Sequence, residues 1–391
     1  MRILTFTTLY PNAEQPNHGV FVENRLRHLL KDGRIQAHVL APVPWFPLQG
    51  KRYGRYGAFA RVPRHEVRHG IEISHPRFPV IPRVGMAAAP YLLAHAMRPA
   101  VRELLAKNDF DLIDAHYFYP DGVAAAMLGQ YFKKPVVITA RGSDISVIPQ
   151  YRLPRKMIAW AAGKASGMIT VCQALRDAML ELGLDGERIV SLRNGVDLEL
   201  FRPGDRTQLR QMLKLDKFTL LAVGQLVEHK GQALIIEALP ALPDAQLLLA
   251  GTGPDRERLE QLATQLGVRE RVNFLGAVPH AELAAYYGAA DAMVLASSRE
   301  GWANVLLESM ACGTPVVASR VWGTPEVVAS PDAGVLMSER SARGVAEAVL
   351  SLRAHYPQHA ATRRYAEGFS WHDTTQGQIR LFEKATAEFH A

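Results

Sequence analysis

Glu300 and Glu308 stand with seven residues between them in Ser297-Ser-Arg-Glu-Gly-Trp-Ala-Asn-Val-Leu-Leu-Glu-Ser-Met-Ala-Cys-Gly-Thr-Pro-Val-Val317. The apolar run Ala292–Leu295 before them reads as a buried strand. A polar loop follows, and a helix starts near Asn304. The first N–H groups of a helix lack intrahelical partners and lie at the positive end of its dipole, which makes a ready anion site. Gly301 lets a ligand approach the loop without a Cβ in the way. A carboxylate accepts on both oxygens and suits the vicinal hydroxyls of a hexose or ribose. The plainer alternative is two solvated helix glutamates.

A second constellation is Val223-Gly-Gln-Leu-Val-Glu-His-Lys-Gly231. Gly224 ends a strand, and Lys230 is spaced to reach a diphosphate as a point charge; otherwise it is a surface lysine in a turn. Gly251 and Gly253, in Ala250-Gly-Thr-Gly-Pro-Asp255, mark a strand-to-helix turn. No Gly-x-Gly-x-x-Gly occurs, which argues against a dinucleotide cofactor. In the first half, Asp111-Leu-Ile-Asp-Ala-His116 puts His116 at the carboxyl end of a strand, as a ligand-facing imidazole or a satisfied core histidine. Arg141-Gly-Ser-Asp144 follows the next strand, Asn194-Gly-Val-Asp197 makes a turn, and Gly19 precedes a helix.

Taken together, these stretches resemble the retaining glycosyltransferase family 4, of GT-B fold, whose mark is a Glu–x7–Glu pair in this context. The resemblance runs from Thr7 to about Trp371. It implies transfer of a hexose-type sugar, with retention, from a UDP- or GDP-sugar to a glycan or lipid-linked acceptor. No metal and no cofactor are expected. Glu300 would contact the donor sugar and Glu308 the ribose, with Gly301, Trp302, Ala303, Asn304 and Val305 between them on the donor side. Lys230 would serve the diphosphate beside Gly224 and Gln225. Gly251, Gly253 and Val278 would flank the nucleotide, and Gly19 would admit a substrate. His116 joins Glu300 and Lys230 as a catalytic candidate, and Arg141, Asp144 and Asn194 are placed on the acceptor side. Gln225 departs from the family's usual arginine and removes one charge from the diphosphate clamp, unless Arg193 or Arg299 compensates. Tyr119-Pro-Asp-Gly122 with Arg141-Gly-Ser-Asp144 points to the bacterial polysaccharide branch. Two other readings are a nucleotide-sugar 2-epimerase and a non-catalytic scaffold that binds nucleotide sugar.

The elements that must position these residues follow from hydrophobic periodicity. Strands are expected at Ile3–Thr7, Ala37–Leu40, Leu112–Ala115, Val136–Thr139, Met168–Val171 and Ile189–Leu192. A second six are expected at Thr219–Val223, Gln246–Ala250, Val272–Leu275, Ala292–Leu295, Val316–Ala318 and Gly334–Leu336. Helical stretches alternate with them, so the expectation is α/β: two Rossmann-like domains with parallel sheets, facing a cleft. The division is residues 1–203 for the acceptor, 204–371 for the nucleotide sugar, and a helix over 372–391 that crosses back.

Length agrees with two domains, since 391 residues exceed the roughly 250–300 at which single cores stop growing. The 48% hydrophobic and 21% charged content is that of a globular protein. Cys172 and Cys312, in apolar surroundings, read as reduced packing residues of a cytoplasmic protein. The N-terminal run reads as a strand and not a signal peptide, and no stretch has the roughly 20 apolar residues of a membrane span. The net charge of +7 concentrates between Lys51 and Arg83, where Arg52, Arg55, Arg61, Arg64, Arg68 and Arg77 alternate with Tyr53, Tyr56 and Phe59. A solvated face, an anionic membrane surface on the inner side of the cell membrane, or a nucleic-acid patch would each suit it. No nucleic-acid motif accompanies it.

Overall fold

A computed structural model describes residues 1–81 and 85–390; Arg83 and the side chains of Lys51 and Arg55 lie outside the described set. The chain forms two compact units, one of Met1–Arg193 with the residues from His372 onward, the other of Asn194–Trp371.

In the second unit, strands lie in the order Val272–Gly276, Ala245–Ala250, Phe218–Val223, Ala292–Leu295, Val316–Ala318, Gly334–Leu336, all parallel. Numbered along the chain this is 3-2-1-4-5-6, the doubly wound Rossmann order. Such strands are covered on both faces, which is why they read as continuous apolar runs. Leu220, Leu247, Leu249 and Val294 pack there with Ile236 and Val349 of the flanking helices. The order reverses between Phe218–Val223 and Ala292–Leu295, and the crevice beyond the carboxyl ends at such a reversal is where ligands bind.

The first unit repeats the scheme with additions. Its sheet runs Ile189–Ser191, Gly167–Thr170, Val136–Ala140, Leu112–His116, Arg2–Phe6, Gln36–Leu40, Ile71–Ser74, His65–Arg68, with the reversal between Arg2–Phe6 and Leu112–His116. The last two strands form an antiparallel hairpin with Arg68 opposite Ile71. Its two turn residues, His69 and Gly70, both have positive φ, the geometry a two-residue hairpin favours. This hairpin and the short pair Val43–Pro44 with Arg77–Phe78 were absent from the sequence expectation. Helix Trp371–His390 sets Ile379, Phe382 and Ala385, three residues apart, against Ile3, Val22, Leu26 and Ile169 of this core.

The units part at Arg193/Asn194 and not near Phe201–Asp205, where turn residues had suggested the break. The intervening segment is bound to the second unit. Val196 N–H donates to the Phe369 carbonyl at 2.9 Å, Arg363 donates to the Phe201 carbonyl at 2.6 Å, and the Phe201 ring meets Tyr287 edge-on. Both cysteines are buried, and neither forms a disulfide. Among the described residues no helix is long and apolar enough to cross a membrane.

Candidate functional site

At the reversal in the second unit, the chain leaves Val223 through Gly224 and leaves Leu295 through the loop to Glu300. The glycines here are set by backbone approach: a Cβ on Gly251, at φ 151°, would fall 1.8 Å from the Gly224 carbonyl oxygen. Gly253 sits in the same turn, where Leu226 N–H donates to the Thr252 carbonyl. Lys230 ends the single turn Glu228–Lys230, and its ammonium meets the Glu300 carboxylate at 2.6 Å. Both side chains are mostly buried, at 25% and 12% exposure, so water screens the pair less than a surface ion pair.

The loop that carries Glu300 is pinned at three points. Ser298 N–H donates to the His229 carbonyl at 2.8 Å, Ser319 Oγ to the Ser297 carbonyl at 2.6 Å, and Arg340 Nε to the Ala296 carbonyl at 2.8 Å. Burial lowers the pKa of His229, and the nearby Arg299, Lys230 and Arg340 lower it further. Glu300 opposes these cations, so the net effect is to favour the neutral imidazole beside Arg299, Lys230 and Arg340, whose charges suit a diphosphate. Gln225 is exposed and takes no part in an ion pair among the described residues.

Helix Asn304–Ala311 begins after Ala303 with no side chain capping it. Glu308 lies inside the helix and is nearly buried. One carboxylate oxygen meets His280 Nε2 at 2.9 Å and the other accepts from the Tyr287 hydroxyl at 3.0 Å. Burial, then the Glu308 charge, holds that phenol protonated. A carboxylate offers about four lone-pair directions, so two remain for further donors. Trp302 is a buried packing residue, its ring 6.2 Å from that of Phe369. Gly301, Val305 and Val278 are half-buried.

Asn194, assigned from sequence to the acceptor side, belongs to the second unit. Its amide donates to Asn304 Oδ1 at 3.3 Å, which brings it beside a residue expected on the donor side. Gly19 lies in the first unit, left-handed before helix Val20–Lys31, where a Cβ would strike the Leu9 carbonyl.

His116, Arg141 and Asp144 belong to an ionic network in the first unit. His116 is 1% exposed, and both ring nitrogens are engaged. Nε2 lies 3.1 Å from Asp114 Oδ2, and Nδ1 lies 2.7 Å from Arg141 Nη2. Since a guanidinium can only donate, Nδ1 accepts and Nε2 carries the proton. Burial first, and the adjacent Arg141 among smaller causes, lowers its pKa to about 4 despite Asp114, so it is neutral at pH 7. His116 is thus a buried imidazole with both nitrogens held by neighbouring side chains, at the carboxyl end of its strand. Asp144 accepts from the backbone N–H groups of Phe118, Arg141 and Gly142 and shapes that turn. Sequence reading gave no role to Arg25, Asp114 or Gln378 of this network, nor to His280, Tyr287 or Arg340 of the second unit. Arg25 Nε donates to Gln378 Oε1 at 2.8 Å across 353 residues of sequence, a pairing no local pattern announces. Among the described residues no three His, Cys, Asp or Glu side chains converge to hold a metal ion.

Comparison with known proteins matches residues 18–200 to the model described as Glycosyltransferase Family 4 and residues 205–369 to that of glycosyl transferases group 1. The chain is 28% identical to the Bacillus subtilis glycosyltransferase TuaC, named for teichuronic acid biosynthesis, over 100% of this chain and 97% of that one. It is 29% identical to D-inositol 3-phosphate glycosyltransferase 1 of Catenulispora acidiphila, over 98% and 96%. Its fold resembles that of sucrose-phosphate synthase from Thermosynechococcus elongatus, with TM-score 0.82 at 21% identity over 99% of each chain. It also resembles Anabaena HepE in complex with UDP-glucose, with TM-score 0.74 at 22% identity over 99% of each. These are GT-B folds.

Proposed function

Because the chain belongs to glycosyltransferase family 4, we propose that it moves a hexose-type sugar, with retention, from a nucleoside diphosphate sugar to a glycan or lipid-linked acceptor. The observation that carries this reading is the Lys230–Glu300 pair at the carboxyl ends of the reversal strands of a Rossmann unit. The second unit takes the donor and the first the acceptor. Lys230, with Arg299 and Arg340 nearby, stabilises the charge that builds on the diphosphate as the sugar–phosphate bond breaks. Glu300 holds sugar hydroxyls, and the free lone pairs of Glu308 take the ribose hydroxyls. The acceptor oxygen bonds to the anomeric carbon on the face the diphosphate leaves, and its proton passes to a departing phosphate oxygen. UDP complexes of HepE make uridine the first base to test, with GDP-sugars beside it. The name of TuaC supports an acceptor in polysaccharide biosynthesis.

Calorimetric titration with UDP- and GDP-sugars, alongside transfer assays, tests these roles. Glu308→Gln is expected to weaken nucleotide binding by about 1.5–3 kcal/mol, roughly 10- to 150-fold. Glu300→Ala should chiefly lower turnover. Wild-type affinity and rate in both variants would remove the assignment.

No divalent metal enters this scheme, since side chains supply the positive charge. Transfer is expected to persist in excess EDTA; a complete loss that added metal restores would overturn this part.

An anionic membrane surface is a further proposed partner, at the inner face of the membrane of a cytoplasmic protein. Helix Arg152–Lys164 opens with Arg152, Arg155 and Lys156, all exposed, at the positive end of its dipole, with no acidic residue or capping side chain. Such placement costs about 0.3–1 kcal/mol per charge, which an anionic surface would relieve. Leu153 and Trp160 are exposed on the same helix. In the Lys51–Arg83 stretch the support is thinner. Arg61 is paired with Glu14 at 2.6 Å and Arg68 with Glu23 at 2.8 Å, and Arg77 is bonded to the Val62 carbonyl. Changing Arg152, Arg155 and Lys156 to Gln should remove about 3 kcal/mol of attraction, at about 1 kcal/mol per residue. Co-sedimentation at low and high salt checks it, and equal binding to neutral and anionic vesicles would refute it.

A further inference from the structure

The first unit holds a cavity of about 760 Å³, within the range of small-molecule pockets, between one face of its sheet and helix Ala89–Lys107. The space exists because the helix turns Ala96, Pro99 and Ala100 toward it. Leu4, Leu40 and Leu104 supply apolar wall, and none of the network around His116 lines it.

The polar part of the wall is unbalanced in charge. Arg2, Arg64 and Arg77 all line the cavity, and among the described residues none of their guanidiniums pairs with a carboxylate, although the Arg2 backbone N–H donates to Asp111 at 2.8 Å. Arg2 Nε donates to the neutral Gln36 Oε1 at 3.3 Å, Arg77 donates to the carbonyls of His75 and Val62, and the Arg64 side chain makes no such bond. Burial, and then repulsion from Arg64, lowers the pKa of Arg77. The carboxylates at the rim are largely spent: Glu103 pairs with Lys107 at 2.6 Å and Asp109 with Lys134 at 2.8 Å, while Glu72 stands 3.5 Å from His38. Two imidazoles, His38 through Nε2 and His65 through Nδ1, converge on the Ser74 hydroxyl at 2.9 and 3.2 Å. That hydroxyl has one proton, so at least one imidazole directs its own N–H at the oxygen. Guanidiniums without counter-charge that repel each other beside an apolar wall are what an amphipathic anion would complement.

We propose that this cavity is a second ligand site, separate from sugar transfer. It takes a small organic oxyanion: a phosphate monoester or carboxylate head, held near Arg64 and Arg77, on a short apolar body lying along Leu4 and Leu104. Calorimetry on the full chain with hexyl phosphate, hexanoate, inorganic phosphate, hexanol and phosphatidic acid vesicles tests it. Hexyl phosphate or hexanoate is expected to bind more tightly than inorganic phosphate and hexanol. Arg64→Gln should weaken that binding about tenfold, as loss of a charge-assisted contact does. Ala100→Phe, which fills the groove from a half-buried helix position, should abolish it. The UDP-sugar affinity and the thermal midpoint of both variants should stay at wild-type values, which separates this site from the donor site and from misfolding. Equal binding by wild type and both variants, no gain from the apolar chain, or binding to vesicles alone would overturn the proposal.

Discussion

Lys230→Ala is expected to lower kcat/KM for sugar transfer by about 10²–10³-fold, the usual loss when one preorganised donor to a developing anion is removed. The expectation rests on how the charge is held. The ammonium is fixed by Glu300 at 2.6 Å, and the loop bearing Glu300 is tied to the turn of Lys230 through Ser298 and His229. Little reorganisation is then needed as the sugar–phosphate bond breaks. Arg299 and Arg340 also contribute to the field at His229, but the Arg340 Nε is already committed to the Ala296 carbonyl. Gln225 brings no charge, so Lys230 bears more of the load than it would beside an arginine. Gln225→Arg in the Lys230→Ala background should restore part of the lost rate, whereas a lysine needed only for folding would give no such rescue. Steady-state kinetics with saturating acceptor checks both variants; a change below threefold in Lys230→Ala would remove it from the transfer step.

Much of this arrangement was legible in the sequence because burial leaves a local trace. Strand Val136–Ala140 is buried at every position and so reads as an unbroken apolar run, as do its parallel neighbours. The edge hairpin was harder: its buried Ile71 and Ile73 alternate with charged and exposed positions, and the density of arginine drew attention to a surface patch. Motifs placed Lys230 and Glu300 at strand ends 70 residues apart, but only three-dimensional structure shows that they meet. The same limit hid the partners of Glu308, since Tyr287 and His280 lie on separate elements and follow no fixed spacing from it. The surroundings of His116 were hidden for a different reason. A histidine at a strand end faces either a ligand or the interior, and the choice depends on Arg141 and Asp114, whose charges the local pattern does not place. Arg25 inverts the usual expectation that arginine is exposed: it is buried with donors given to Gln378, from the far end of the chain, and to the Leu192 carbonyl.

That buried network is where the largest effect on stability is expected. Asp114→Ala should lower the unfolding free energy by about 3–5 kcal/mol, the cost of leaving buried charge without its partner. Asp114 accepts from His116 at 3.1 Å and from Gln378 at 3.4 Å, and its charge favours the ionised forms of Arg25 and Arg141. Burial brings those guanidiniums down to about 10 and about 9, and Arg25 pushes Arg141 further in the same direction. Without Asp114 that repulsion has lost an opposing charge. Asp114→Asn keeps the shape and one acceptor, so it should fall between alanine and wild type in denaturant titration. His116 gives the network a pH signature. Its folded pKa, about 4, lies below the ordinary value of 6.5, so the native state binds fewer protons than the unfolded chain between those values. The neutral imidazole's contribution is complete above pH 6.5 and is lost as pH falls toward 4. Asp121, raised by burial to about 7, slopes the other way, its contribution present below the ordinary carboxylate range and lost as pH rises through 7. Comparing wild type with His116→Gln across pH 4–7 isolates the histidine, because Asp121 is common to both. Relative to the variant, wild type should lose stability steadily as pH falls through that window; parallel curves would show that the imidazole does not titrate as the network requires.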